Sequence, residues 1–406
     1  MVTLEEITRA REVIRETIHP TPLLFSDSIS AMVGKDVYLK LENLQKAGSF
    51  KIRGASYKIS KLGSSVGKRG VIAVSAGNHA QGVALAAASR GISATIVMPV
   101  HAPLSKQLAT RGYGGKVILK GESFGEAEQH AKELEKDGYT MIHPFEDEDI
   151  ISGQGTIGLE IIEALPEVEA VIVPIGGGGC ISGISTALKG KKPEVHVIGV
   201  EAAAAPSALL SRREGKIIPV QPIPTIADGI AIKCVGQITF PIIQRYVDEI
   251  VTVEDDEIAA AILTLIERKR IVAEGAGAAP LAALLKGDLK IEGTNCVLVI
   301  CGGNIDVNLI DRIIGQGLAK TGRIIRFGVN LRDIPGSLAR LCESIATQRA
   351  NILNTYHDRT STEVPVGATK VVMELETSGF DHIQAILGAL SKEGYEIETD
   401  PTCPVV

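Results

Sequence analysis

Between residues 71 and 300 the chain repeats one pattern: a short unbroken apolar run, a turn marked by Gly, Pro or Asn, then a stretch of helical length. The pattern predicts strands at 71–74, 94–98, 116–119, 170–174, 195–200, 250–253 and 296–300. Helices are predicted at 80–90, 123–136, 153–164, after 179, at 257–268 and at 306–318. The runs do not alternate polar with apolar residues, so both faces of each strand need cover. Short fully apolar strands alternating with helices describe a parallel sheet wrapped on both sides, an α/β class. Upstream, residues 3–17 read as an amphipathic helix stopped by His19-Pro20-Thr21-Pro22, and 37–42 as a further strand.

From about residue 323 the pattern changes. Ile325, Phe327, Val329 and Leu331 alternate with Arg326, Gly328 and Asn330, which is period 2 with one wet face. A helix opening at Asp333-Ile334-Pro335-Gly336-Ser337 follows, then strands at 352–356 and 370–375, a helix at 381–390 and a strand at 395–398. The order βαββαβ is the ferredoxin-like split arrangement. Lys320-Thr321-Gly322 is the expected linker, giving domains 1–320 and 323–406.

A length of 406 residues fits roughly two to three domains. The net charge of −6 argues against a nucleic-acid or anionic-membrane surface. The apolar runs fall short of the about 18–20 residues of a membrane span. Met1-Val2-Thr3-Leu4-Glu5-Glu6 lacks the basic start of a secretory signal. The six cysteines (180, 234, 296, 301, 342 and 403) have no CxxC or zinc spacing, so reduced thiols in a cytoplasmic protein are expected.

Lys51, in Ser49-Phe50-Lys51-Ile52-Arg53-Gly54, has apolar neighbours that can strip its solvation and lower its pKa. That is what an imine-forming lysine needs; a surface lysine with a buried stem is the plain alternative. Gly176-Gly177-Gly178-Gly179 follows a strand and opens a helix, where backbone N–H groups converge on a phosphate. A sharp turn alone would need fewer glycines. The spacing is neither GxGxxG nor GxxxxGK[ST]. Ser75-Ala76-Gly77-Asn78-His79 holds the same kind of position and suits a carboxylate, or a simple helix cap. Cys301-Gly302-Gly303-Asn304 ends the last strand of the sheet, where ligands of parallel sheets gather; Cys301 could equally be a small core residue. Glu201 and Glu274 could cap or pair locally, and 254–257 reads as an acidic helix N-terminus. An imine-forming lysine, a phosphate loop and a small-anion loop together point to pyridoxal 5′-phosphate and an amino-acid substrate.

On these motifs the chain resembles the threonine dehydratases (threonine ammonia-lyases) of the tryptophan-synthase-β-like, fold-type II pyridoxal-phosphate enzymes. The motifs are Ser-Phe-Lys-x-Arg-Gly-Ala at 49–55, Ser-Ala-Gly-Asn-His-Ala-Gln-Gly at 75–82, the four glycines at 176, Asp228-Gly229 and Gly-Gly-Asn at 302. The likeness covers residues 4–320 and implies a core of two subdomains; the tail resembles an ACT domain, an amino-acid-sensing module. It implies that Lys51 carries the cofactor as an imine, with Phe50 near the ring and Gly229 opposite. Asn78 would meet the ring hydroxyl, Gly176, Gly177, Gly178 and Gly179 the phosphate, and Cys301 the pyridine nitrogen. Ser75, Ala76, Gly77, Asn78 and His79 would line the substrate site. Glu201, backbone Ala205 and Ser207 match a cation site of relatives, monovalent or divalent. Cys180 departs from the Leu common after the glycines.

The resemblance implies conversion of L-threonine to 2-oxobutanoate and ammonia, and of L-serine to pyruvate. Cys301 is no carboxylate, so the pyridine nitrogen should stay unprotonated, which suits prompt loss of a β-hydroxyl. Ala76 stands where serine racemases carry the Ser base of the second face, so racemisation should be minor. Isoleucine biosynthesis, threonine catabolism, an amino-acid effector at Asp333-Ile334-Pro335-Gly336 and a homo-oligomer (dimer or tetramer) belong to the same expectation. Serine racemase or dehydratase, β-replacement, and a regulatory protein with an inactive core are the alternatives. Bound imine would make an active core yellow and leave an inactive one colourless.

Overall fold

The computed structural model describes residues 2–399 except 64, 65, 67, 68, 292 and 360–363. Met1 and Cys403, on which the N-terminal and thiol readings drew, lie outside the described residues; the other five cysteines are free. The chain divides into two compact units, Met1–Asp306 and Val307–Val406.

The first unit holds β1 (Leu23–Phe25), β2 (Asp36–Leu41), β3 (Val71–Val74), β4 (Ala94–Met98), β5 (Gly115–Leu119), β6 (Thr140–Met141), β7 (Ala170–Pro174), β8 (His196–Ala202), β9 (Glu249–Val253) and β10 (Asn295–Ile300). They form two sheets, β1-β2-β10-β7-β8-β9 and β5-β4-β3-β6. Every neighbouring pair is parallel except β1 with β2. Each residue of β3, β4 and β7 is buried, which is why these runs show no alternation. The alternating series is thus split: β3 to β6 build the smaller sheet, and β2 pairs with β10, Tyr38 opposite Val297.

Helices Asp27–Val33, Leu104–Gly112, Ser207–Glu214, Thr239–Tyr246 and Gly275–Lys286 were not read from the sequence. Leu104–Gly112 exposes Leu104 and Leu108 while burying Gln107 and Thr110, which inverts the expected stripe. Gly275–Lys286 is buried almost all round, Pro280 included, so it has no period to read. The acidic run at 254–257 is a capping box at the start of helix Asp255–Thr264.

Glycines let the central helices of this unit touch backbone to backbone. Helix Glu148–Ala164 crosses helix Gly179–Lys191, and a Cβ on Gly183 would lie 2.3 Å from Ile151 O and 2.5 Å from Gly155 N. Neither backbone can retreat as a flexible side chain would. Gly183→Ala is therefore expected to cost about 1–3 kcal/mol, read as a lower urea midpoint at unchanged slope.

The second unit opens with helix Val307–Lys320 and continues with β11 (Ile324–Arg332), helix Ser337–Thr347, β12 (Asn351–Asp358), β13 (Ala368–Glu376), helix Phe380–Lys392 and β14 (Ile397–Thr399). The sheet runs β12-β13-β11-β14 and is antiparallel throughout. This is the βαββαβ order expected. Ile325, Phe327, Val329 and Leu331 are buried with Leu341, Ile345, Ile383, Ile386 and Leu390 from the two helices that follow β11 and β13. On the other face Arg326 is exposed, whereas Gly328, read as wet, is covered by the Lys370 chain. Among the described residues no helix is long and apolar enough to cross a membrane.

Candidate active site

Lys51 is the first residue of helix Lys51–Leu62. The Gly48-Ser49 start does not cap this helix; Phe50 holds the cap position without a side-chain bond. Instead Ala47 (φ 60) and Gly48 (φ 68) turn the chain left-handed, and the segment is strapped to the end of β10. Phe50 N–H donates to Cys301 O (3.1 Å), Gly303 N–H to Gly48 O (2.9 Å), and Ser49 bridges Gly302. A Cβ on Gly48 would lie 2.5 Å from Asn304 Oδ1, so this turn needs glycine for both its φ and its space.

Lys51 Nζ donates to Pro144 O at 3.2 Å and stands 5.1 Å from the centroid of the buried Phe50 ring. Burial pushes its pKa down, against the opposing pull of Cys180, Cys301 and Glu274. The amine is thereby made easier to hold neutral, as a nucleophile or base requires. Cys180, left without a role by the sequence, thus faces the lysine. Burial drives its thiol up to about 12 and Cys301 well above the usual thiol range, so both stay protonated.

The glycine loop forms a donor cradle. Gly177 O accepts from Thr239 Oγ1 (2.7 Å) and Gly236 N–H (3.2 Å), which turns the peptide planes of the loop. Among the described residues no protein acceptor takes the N–H of Gly176, Gly177 or Gly178. Gly179 then opens its helix, adding first-turn N–H groups. A Cβ on Gly177 would sit 2.3 Å from the Phe145 ring, and Gly178 has φ 91. This donor set suits a phosphate and would not survive ordinary side chains. The Asp228–Ile230 turn abuts it, with Gly229 O 3.4 Å from a Cβ on Gly176.

The Ser75–His79 stretch leads into helix Asn78–Ala88, and Ser75 Oγ accepts from Gly77 N–H at 3.1 Å. The His79 ring turns away: its Nε2 donates to Ile142 O at 2.8 Å, and burial first, then Lys51, lowers its pKa to about 3. It is a neutral pin, and only the backbone of His79 remains for a carboxylate. Asn78 Nδ2 donates to Glu274 Oε1 (2.6 Å), and Asn78 Oδ1 accepts from Asn304 Nδ2 (2.7 Å). The sequence left Glu274 as a local cap or pair. A carboxylate ahead of Gly-Ala-Gly was the available signal, but its partner lies almost two hundred positions away, at |i−j| of 196.

Glu201, Ala205 and Ser207 do come together, at the end of β8. The two Glu201 oxygens take the N–H groups of Ala208 (2.7 Å) and Leu209 (2.8 Å), and burial raises its pKa to about 7. Ser207 Oγ donates to Ile218 O at 2.9 Å. No group of three or more His, Cys, Asp or Glu suited to a metal occurs among the described residues.

A desolvated lysine amine beside a cradle of glycine N–H groups is the equipment of an enzyme that works through pyridoxal phosphate. The chain belongs to that family: residues 14–302 match the model of the pyridoxal-phosphate dependent enzymes. An L-threonine ammonia-lyase of Thermotoga maritima is 51% identical over 398 residues, 98% of this chain and 99% of that protein. The catabolic L-threonine dehydratase TdcB of Staphylococcus aureus is 46% identical over 323 residues, 78% of this chain and 93% of that protein. The solved structure of maize serine racemase superposes with a TM-score of 0.74 at 37% identity, covering 79% of this chain and 98% of that one.

Proposed function

We propose that this chain is a pyridoxal-phosphate-dependent threonine ammonia-lyase, converting L-threonine to 2-oxobutanoate and ammonia and L-serine to pyruvate. The observation that carries the reading is the desolvated Lys51 amine set beside the free N–H groups of Gly176, Gly177 and Gly178. Near-complete coverage of a relative named for this reaction supports the substrate class.

Bound pyridoxal phosphate supplies a carbonyl carbon that condenses with amines and a conjugated ring that draws electrons from the α-carbon. The glycine N–H groups would hold its phosphate, and Cys301, a protonated thiol, would be a weak partner for the ring nitrogen. N–H groups of the Ser75–His79 stretch hold the substrate carboxylate. The free Lys51 Nζ would take the α-proton and return it to the departing β-hydroxyl, which leaves as water. The released enamine hydrolyses to the 2-oxo acid and ammonia. Ala76 offers a methyl where a second base would stand, which disfavours racemisation. Likeness to maize serine racemase supports a second reading, racemisation of serine. Glu201, backbone Ala205 and Ser207, at the end of β8, are the residues that would hold a monovalent or divalent cation.

In this reading the catalytic domain is 1–320 and the tail, 323–406, is an ACT regulatory domain in a cytoplasmic homo-oligomer. Isoleucine is the proposed effector and isoleucine biosynthesis the role. The test is 2-oxobutanoate formation from L-threonine, with and without isoleucine. Formation inhibited by isoleucine supports both parts. Formation indifferent to it removes the effector, and no product from threonine or serine removes the lyase.

A further inference from the structure

Glu274 immediately precedes helix Gly275–Lys286, yet its carboxylate makes no cap bond to that helix. It is nearly buried, at 6% exposure, and its own N–H is tied to Gly302 O at 3.1 Å. The carboxylate reaches out to Asn78 Nδ2, 2.6 Å away. Room for it exists only because residue 302 is glycine, since a Cβ there would lie 2.3 Å from Glu274 Oε1 and 3.1 Å from Asn78 Nδ2. On the far side, Asn304 Nδ2 holds Asn78 Oδ1 at 2.7 Å and is itself anchored to Ala47 O at 2.9 Å. Ala47 belongs to the turn that carries Lys51. One hydrogen-bonded chain therefore links Glu274, Asn78, Asn304 and the Lys51 segment.

The two neighbours leave Asn78 a single orientation. Its oxygen must face Asn304, its NH₂ must face Glu274, and the second N–H has no protein acceptor among the described residues. We propose that Glu274 is the positioning residue of the cofactor, acting through Asn78 to keep an N–H turned toward the ring hydroxyl oxygen. This rests on the reading of Asn78 given above. The charge on Glu274 also sets how strongly that N–H is polarised. Burial first, then Asp228, raises the Glu274 pKa to about 7, with Asn78, Lys106 and Lys51 opposing. Asp228, Lys106, Lys51 and the Cys301 thiol are the charged and titratable side chains that act with it. Protonation of Glu274 near neutrality removes a negative charge beside Asn78, and the absorbance of bound cofactor should follow it.

The test uses the full-length holoenzyme, with absorbance spectra from pH 5.5 to 8.5 (a span of about 1.5 units either side of neutrality), cofactor affinity, and threonine turnover. Glu274→Gln keeps an acceptor oxygen, facing Asn78 because Asn304 still fixes the other end, but cannot ionise. It should abolish the neutral-range spectral change while binding cofactor nearly as tightly as the parent. Glu274→Ala removes the acceptor and should weaken cofactor binding about tenfold, equivalent to one net hydrogen bond. A Gln variant that keeps the parent's spectral titration overturns the proposal, and this holds even if the Ala variant fails to fold. A protein that binds cofactor and shows the Gln effect but does not act on threonine upholds the proposal and removes the lyase reading. A protein that stays colourless with added pyridoxal phosphate removes both.

Discussion

Lys51→Ala should abolish turnover while leaving a folded protein. In the proposed function two roles of Lys51 would be lost together, the covalent hold on the cofactor and the base at the α-carbon. Loss of a positioned base alone costs about 10²–10⁴-fold in rate. Loss of the imine link should also remove the yellow colour, a readout independent of turnover. Stability should change little. Lys51 is half-buried, with one bond to Pro144 O and a contact with Phe50, and burial already works against its charge. One such bond contributes about 0.5–1.5 kcal/mol net. Removing the amine should also let the His79 pKa rise from about 3, because Lys51 is one of the charges holding it down. A colourless variant with an unchanged urea midpoint is the expected result. A variant that stays yellow and active would remove Lys51 from the chemistry.

The largest stability effect is expected two residues further on. The Arg53 side chain is fully buried, and its guanidinium donates to Glu42 Oε1 and Oε2 (both 2.8 Å), Glu160 Oε1 (2.6 Å), Glu160 Oε2 (2.9 Å) and Thr156 Oγ1 (3.1 Å). Lys40 completes the cluster through Glu160 Oε2 (2.5 Å) and Thr21 O (2.7 Å). Two cations and two carboxylates balance, each desolvated. Arg53→Met keeps the length but leaves the buried Glu42 without its cation and Glu160 with Lys40 alone, at about 3–5 kcal/mol. Adding Glu42→Met should return part of the loss, so the pair should cost less than the sum of the singles. The urea midpoint of the three variants checks this; strict additivity would mean the cluster is not one network.

The cluster also carries a pH signature. Burial raises the Glu160 pKa, but Arg53 and Lys40 outweigh it, and the net shift is downward. A carboxylate with a lowered folded pKa contributes stability above its unfolded pKa and loses it as pH falls through the folded one. Acid sensitivity in that range should therefore diminish in Arg53→Met.

Much of the site was legible because its groups are local in sequence. Lys51 between apolar neighbours, four consecutive glycines and Ser75–His79 each sit where a strand or bend meets a helix, and the residue types alone suggest an amine, a phosphate cradle and an anion loop. The parts that escaped are pairings. The His79 ring belongs to Ile142, and Asn78 is held between Glu274 and Asn304. No local pattern records such partners.

The fold divides the same way. Burial on both faces wrote itself into the apolar runs of β3, β4 and β7, and burial on one face into the alternation of β11, so both classes of sheet could be read directly. Local sequence also determined the βαββαβ order of the tail. Which strands share a sheet was not written there, because a parallel strand looks alike whether its neighbour is β4 or β10. Helix Gly275–Lys286 escaped because uniform burial erases the 3.6-residue period, and Leu104–Gly112 because its leucines face outward. The chemistry each residue could perform was set by its own type and immediate neighbours. Which residues meet, and so the desolvation of Lys51 and the setting of Glu274 and Arg53, was decided by tertiary packing, since pKa shifts and buried hydrogen bonds depend on distances that the order of residues does not contain.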